Sequence, residues 1–313
     1  MSAIRIESLS KTFGSVRAVD GLNLTIEENT IFGFLGPNGA GKTTCIRLLT
    51  GLAKPTSGMA WVAGVPIGAE RQASQRIGYL PEEPAFYTYM TPLEYLDHVG
   101  RLFKIPPNKR HQLIADMLQL TGLTEVKKRR IGGFSRGMRQ RLGLAQALIN
   151  QPEVLFLDEP ASALDPIGRK EVLELIGQLR GQCTIFMSTH ILADVERVCD
   201  SVGIIHHGKL LVKANKNDLL YEYALPVLEL ESENGQANQL AAWVDELSRQ
   251  IVIESFKING NIARIVVAEI GANRSRILSS ILQSGLALRR FEVMTPSLED
   301  VFLRLVNYED HQP

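Results

Sequence analysis

Residues 36–43, Gly36-Pro37-Asn38-Gly39-Ala40-Gly41-Lys42-Thr43, read G-x-x-x-x-G-K-[ST]. That spacing suits a polyphosphate. Glycines let successive backbone N–H groups converge on phosphate oxygens, and a helix starting at the end of the loop adds positive potential. Lys42 has the reach for β- and γ-phosphates, Thr43 offers a hydroxyl to Mg²⁺, and Thr44 joins the nucleotide-binding set. Two acids, Asp158 and Glu159, end the apolar run Val154-Leu155-Phe156-Leu157. Asp158 is a Mg²⁺ partner for Thr43, through water, and Glu159 can polarise the water that attacks a γ-phosphate. His190 follows a second apolar run, Cys183–Ser188. A lone histidine is usually structural. This one ends a strand expected beside the Asp158 strand, which favours a γ-phosphate contact.

These groups need elements to hold them. The run Thr30–Leu35 predicts a buried strand before the glycine loop, and Thr43–Thr50, stopped by Gly51, predicts a helix after it. Residues 3–7 and 22–26 alternate like strands, with Lys11-Thr12-Phe13-Gly14 as a turn carrying an exposed aromatic. Further strands are expected at Ala60–Ala63 and Ile77–Leu80. From Pro84 to about Asn150 the pattern turns helical. Thr91-Pro92-Leu93-Glu94 is a capping box, a second helix carries Leu113, Ile114 and Leu118, and a third begins near Ser135. The basic run Lys127–Arg130 reads as a solvated loop. A helix with Val172, Leu173 and Ile176 follows the two acids, and Val202–His206 with Lys209–Val212 form a hairpin. Alternating β and α units imply an α/β fold, a mainly parallel sheet with helices on both faces, its active groups beyond the carboxyl ends of the strands.

Past about residue 225 the order changes to β-α-β-β-α-β: strands at Val227–Leu230, Gln250–Lys257, Ile262–Ala268 and Ala287–Val293, helices at Gln239–Leu247 and Arg274–Leu282. That order predicts a small ferredoxin-like α+β sandwich. A last helix is expected from Pro296-Ser297, burying Leu298, Phe302, Leu305 and Val306. The expected domains are therefore 1–222, with a helical insert at about 84–150, and 225–313.

Composition limits the partners. Lys+Arg and Asp+Glu number 34 each in 313 residues, so the net charge is zero, which argues against a general nucleic-acid binder. Cys45, Cys183 and Cys199 form no CxxC and read as reduced core thiols. No run of 18 apolar residues exists, so the chain is not expected to cross a membrane by itself.

Phe134-Ser135-Arg136-Gly137-Met138-Arg139-Gln140-Arg141-Leu142 resembles the signature of the ATP-binding-cassette (ABC) ATPases. With the loop at 36–43, Leu155–Pro160, Ser162-Ala163-Leu164-Asp165 and His190, the order and spacing match that family over residues 3 to about 220. The resemblance implies a P-loop NTPase of ABC type with a helical insert. It implies that ATP and Mg²⁺ bind and that two cassettes pair head to tail around two ATP molecules. In each site Ser135 and Gly137 of one subunit face the loop of the other. Phe13 would stack on adenine, Asp165 would lie on the dimer seam, and hydrolysis at Glu159 would open the pair. The tail, with Pro296-Ser297-Leu298-Glu299-Asp300-Val301-Phe302, resembles the accessory domain of cassettes that serve ABC-2-type exporters. The implied partners are a second cassette, in a homodimer, and a separate membrane permease, with the cassette on the cytoplasmic face of the cell membrane and no nucleic acid.

Two positions depart from the family pattern. Arg136 stands where the signature has its first glycine, and Glu82 stands where the family has glutamine. A glutamate at 82 could hold Mg²⁺ or water. The apolar cluster Phe86, Tyr87, Tyr89 and Met90 behind it reads equally as a docking surface for a membrane partner or as core of the insert. The expected function is the ATPase subunit of an exporter. The alternatives are an importer subunit and a soluble cassette ATPase acting on nucleic acid or ribosomes; the latter relatives usually carry two cassettes or a long coiled coil, and this chain has neither.

Overall fold

Uninterrupted apolar runs make the central strands of the N-terminal half. The computed structural model describes residues 2–69, 74–216, 218–219, 226–267, 270–294 and 301–302. The chain divides into two compact units, Met1–Lys216 and Asn217–Pro313.

In the first unit, β1 (Ser2–Phe13), β2 (Val16–Glu27), β4 (Ser57–Val62) and β5 (Val65–Pro66) form an antiparallel sheet in the order β2-β1-β4-β5. A second sheet has the order β10-β9-β3-β8-β7-β6. Its members are β3 (Ile31–Leu35), β6 (Ile77–Leu80), β7 (Val154–Asp158), β8 (Thr184–Thr189), β9 (Ser201–His206) and β10 (Lys209–Asn215). Within it β6, β7, β8, β3 and β9 run parallel, and β10 returns antiparallel. Every residue of β3, β7, β8 and β9 is buried. That is why these strands read as solid apolar runs rather than alternating ones.

Strand register places the chemistry. Leu35 pairs with Thr189, and Asp158 pairs with Ser188. The glycine loop after β3, the acids ending β7 and His190 after β8 therefore leave the sheet at one edge. Below that edge the rings of Phe32, Phe34 and Phe156 surround Phe186, with centroids 5.4, 5.2 and 5.7 Å from it. All four rings are fully buried. Burial of a side chain of this size contributes about 1.5–3 kcal/mol.

The helices of this unit are α1 (Lys42–Leu49), α2 (Pro92–Leu102), α3 (Pro107–Leu120), α4 (Arg136–Leu148), α5 (Pro166–Gln178) and α6 (Leu192–Val198). The capping box forms as expected: Thr91 accepts from the Glu94 N–H, and Glu94 accepts from the Thr91 N–H. α2, α3 and α4 bury Leu96, Leu113, Ile114, Leu118 and Leu142 in one cluster. Phe86 and Met90 pack against that cluster, whereas Tyr87 and Tyr89 are exposed. The apolar group thus divides between core and surface. In the basic run, Lys128, Arg129 and Arg130 are exposed, as a solvated loop requires.

One local expectation needs correction. Lys11, Thr12 and Phe13 are not a turn. β1 continues through them, Phe13 pairs with Val16, and only Gly14 and Ser15 turn, with Gly14 at φ 57°. Helix in the insert starts at Pro92, where the capping box places it. The short helix α6 adds an element that the sequence reading does not name, its seven residues being too few for a strong periodic pattern.

The second unit contains β11 (Val227–Ser232), α7 (Ala237–Gln250), β12 (Ile253–Asn259), β13 (Ile262–Val267), α8 (Ile270–Ser284) and β14 (Leu288–Met294). Its sheet has the order β12-β13-β11-β14, antiparallel throughout. With two helices in β-α-β-β-α-β succession, this is the ferredoxin-like arrangement. Leu228, Leu230, Ala263 and Ile265 from the sheet meet Leu240, Trp243, Val244, Leu247, Ile277 and Ile281 from the helices. Trp243 is buried, and its indole N–H donates to Ser280 Oγ at 3.0 Å, so the polar tip is satisfied. Of the expected last helix, Val301 and Phe302 are helical; Pro296, Ser297, Leu298, Leu305 and Val306 lie outside the described residues.

Cys45, Cys183 and Cys199 are buried and unbridged. Burial pushes the Cys45 and Cys199 thiols up to about 12 and that of Cys183 up to about 11, so none carries thiolate character at neutral pH. Among the described residues, no helix is long and apolar enough to cross a membrane.

Candidate functional site

The loop between β3 and α1 is built where side chains have no room. A Cβ on Gly41 (φ 107°) would lie 2.2 Å from the Ala18 carbonyl oxygen, and one on Gly36 would lie 2.4 Å from that of Ile205. Both contacts are with backbone, so neither can relax by a rotamer change. The loop is also pinned from the β9–β10 turn, where the Gly208 N–H donates to the Ala40 carbonyl at 3.0 Å.

Lys42 is the first residue of α1 and is buried. Its Nζ donates to the carbonyls of Gly36 at 2.7 Å and Pro37 at 3.1 Å, and stands 3.2 Å from Glu159 Oε1. The other oxygen of Glu159, Oε2, is 2.9 Å from His190 Nδ1. One buried carboxylate thus bridges a lysine from the loop and a histidine from the end of β8. Glu159 has φ 48°, and its N–H donates to Ser188 Oγ at 3.0 Å. Its carbonyl accepts from Ser162 Oγ at 3.1 Å.

Asp158 is 1% exposed. Thr43 Oγ1 donates to its Oδ1 at 3.0 Å, and Ser188 Oγ donates to the same oxygen at 2.7 Å. Burial raises the pKa of Asp158, the bonds from Ser188 and Thr43 lower it, and the charge of Glu159 raises it again; the net shift is upward. A neighbouring cation would reverse that net direction.

A cleft of about 440 Å³ opens above these groups, lined by Asn38, Gly39, Gly41, Lys42, Thr43 and Thr44 from the loop side. Glu159, His190, Ser162, Ala163, Glu82 and Ala18 also line it. Of the sequence-predicted residues, Asn38, Gly39, Gly41, Lys42, Thr43, Thr44, Glu82, Glu159 and His190 thus come together on the cleft, with Asp158 bonded to Thr43 beside it, whereas Gly36, Pro37 and Ala40 do not line it. Phe13, Ser135, Gly137 and Asp165 do not line this cleft. Phe13 is 54% exposed, with Lys11 Nζ 4.8 Å from its ring centroid. Ser135 caps α4 by accepting from the Met138 N–H, and the exposed Asp165 caps α5 by accepting from the Gly168 N–H. Arg136, the departure in the signature, pairs with Glu83 at 3.0 Å. Ser188 and Ala18 escaped the sequence reading. Ser188 could have been found from its place at the carboxyl end of the strand next to Asp158.

The donor set fits Mg²⁺. Thr43 spends its proton on Asp158, which leaves its oxygen lone pairs for a cation, and the acid beside it is a hard oxygen donor. Mg²⁺ keeps several waters and usually takes one or two protein oxygens plus substrate phosphates, so no all-protein cage is required.

A glycine loop at a helix start, a lysine inside it and two acids at the neighbouring strand end define a P-loop nucleoside-triphosphate-binding protein. The comparisons with known proteins narrow this class. Residues 19–162 match the ABC transporter family, and residues 216–306 match the C-terminal domain of DrrA1-3-like ATP-binding proteins. The uncharacterized ABC transporter ATP-binding protein YxlF of Bacillus subtilis is 41% identical, covering 97% of this chain and 99% of its own. The bacitracin transport ATP-binding protein BcrA of Bacillus licheniformis is 36% identical, with 97% of both chains covered. Among solved structures, cbiO1 from Clostridium perfringens, part of the ABC transporter complex cbiONQ, superimposes with a TM-score of 0.65 at 25% identity, covering 71% of this chain and 91% of its own. The chain belongs to the ATP-binding proteins of ABC transporters. It is an ATPase subunit, and the Nod factor export ATP-binding protein I of Rhizobium sp. (strain N33) is 34% identical to it, with 98% of both chains covered.

Proposed function

We propose that this chain pairs head to tail with a second cassette and hydrolyses ATP to drive export through a separate ABC-2-type permease. The observation that carries the catalytic part is the Glu159 carboxylate, held between Lys42 and His190 at the mouth of the phosphate loop. In this reading the N–H groups of residues 36–43 and the Lys42 ammonium bind the β- and γ-phosphates. Glu159 orients the attacking water and draws its proton, and His190 contacts the γ-phosphate. Mg²⁺, held by Thr43 and Asp158 with Glu82 nearby, supplies charge neutralisation of the phosphates when bound. Phe13 stacks on adenine from the exposed end of β1. Ser135 and the Gly137 N–H, at the free N-terminus of α4, close over the partner's ATP, and Asp165 lies on the seam. The exposure of Ser135 and Asp165, outside their own cleft, supports this division of the site between two chains. Export is supported by the Nod factor export ATP-binding protein I of Rhizobium, which matches this chain over both units. The permease carries the membrane passage, and the cassette works at its cytoplasmic face, where ATP is.

The pairing is tested by sedimentation of the purified chain with ATP and Mg²⁺, together with ATPase rate per chain against dilution. A dimer with ATP and a rate that falls on dilution are expected. A monomer that turns over ATP at full rate overturns the pairing.

Glu82 makes a separate prediction. Its carboxylate lines the cleft. If an oxygen is what the site needs there, Glu82→Gln keeps hydrolysis and Glu82→Ala loses most of it. Equal rates for the wild type and Glu82→Ala would place Glu82 outside the chemistry.

A further inference from the structure

We infer that Ser188 is a positioning residue for both acids of the site, acting through one hydroxyl that bonds to each of them. This rests on the reading above that Asp158 helps to hold Mg²⁺. Ser188 belongs to β8 and pairs with Asp158 of β7 in the parallel ladder. It is fully buried. A serine hydroxyl has one proton to donate and lone pairs to accept with. The proton goes to Asp158 Oδ1 at 2.7 Å, and a lone pair takes the Glu159 N–H at 3.0 Å. The direction of both bonds is therefore determined: a carboxylate can only accept, and a backbone N–H can only donate.

The two bonds do different things. The first, with the Thr43 hydroxyl, holds the Asp158 carboxylate by a single oxygen, since both donors act on Oδ1. That fixes the rotation of the carboxylate about its own axis, and so the direction in which it offers electron pairs to a cation. The second holds the peptide that carries Glu159 in its left-handed conformation, φ 48°. The Ser188 carbonyl accepts from the same N–H at 3.2 Å, so the backbone supplies part of this hold and the hydroxyl the rest. Packing alone does not ask for the oxygen. An alanine would leave Asp158 Oδ1 with the Thr43 hydroxyl and the Glu159 N–H with the Ser188 carbonyl as their remaining partners. The hydroxyl is explained by the two groups it touches, and both are acids of the site.

The test compares Ser188→Ala and Ser188→Thr with the wild type in the full chain. Mn²⁺ is used as the metal probe, and its binding to the protein saturated with a non-hydrolysable ATP analogue is followed by the electron paramagnetic resonance of free Mn²⁺. Ser188→Ala is expected to weaken Mn²⁺ about three- to tenfold, less than the full worth of a hydrogen bond to a charged group because the Thr43 hydroxyl still donates to the same oxygen. It should lower kcat by at least as much, with KM for ATP and the thermal midpoint close to the wild type. Ser188→Thr keeps the hydroxyl and restores Mn²⁺ affinity even if its extra methyl lowers the midpoint. Unchanged Mn²⁺ affinity in Ser188→Ala overturns the inference. So does a loss of activity accompanied only by a lower thermal midpoint, which would make the hydroxyl structural. Failure of the underlying metal reading is distinct: the wild type itself would then bind no Mn²⁺ with the analogue.

Discussion

Glu159→Gln should lower ATP hydrolysis by about 10²-fold or more, the usual worth of a positioned general base, while leaving ATP bound. The two side chains have the same shape, so the cleft keeps its walls. One amide oxygen can still accept from Lys42 at the 3.2 Å position. The other end of the group, now NH₂, faces His190 Nδ1 where a carboxylate oxygen stood 2.9 Å away, and it cannot take a proton from water. Loss of a negative charge beside the γ-phosphate also removes repulsion toward ATP. An ATP-bound pair should therefore accumulate, visible as a dimer in gel filtration with ATP and as a missing ADP product in single-turnover assays. Near-normal turnover in the purified variant would rule out Glu159 as the base.

Lys42→Ala should abolish measurable hydrolysis and weaken ATP by roughly 10- to 10²-fold, the equivalent of a lost hydrogen bond to a charged group. The ammonium bonds to two loop carbonyls and faces Glu159, all through Nζ. Its removal takes away the cation that meets the phosphates and leaves the buried Glu159 carboxylate without that partner. Both effects act against a polyanion entering the cleft. Nucleotide affinity is measured by displacement of a fluorescent ATP analogue, apart from turnover. Unchanged affinity would mean that the loop does not bind phosphate in the manner drawn.

The parts of the molecule that were legible in the sequence are those where one local rule dominates. Ile31–Leu35 and Val154–Asp158 are buried from every side, so they contain nothing but apolar residues up to their functional ends. Thr91, Pro92 and Glu94 announce a helix start because the capping groups must be adjacent in the chain. Phe13 was misplaced because a glycine beside an aromatic looks like a turn, whereas the pairing of Phe13 with Val16 is decided by the opposite strand. Of the site, the loop and the two acids could be read from their spacing. Ser188 could not, because its role arises from the register between β7 and β8, a relation between segments 30 residues apart. Glu82 could be named from its place in the chain, but its position on the cleft wall follows only from the pairing of β6 with β7.

Glu159 has the backbone conformation that L-residues other than Asn, Asp and Gly seldom adopt, φ 48°. A left-handed residue with a Cβ costs about 1–2 kcal/mol. Glycine at this position would relieve that cost, so selection for a sturdier fold and selection for turnover favour different residues at 159. A cassette released from the need to hydrolyse would be free to lose the glutamate here first, and would emerge as a more durable protein that no longer cycles. A glycine or asparagine at this position in a related chain would therefore mark a subunit retained for its grip on nucleotide rather than for its power stroke.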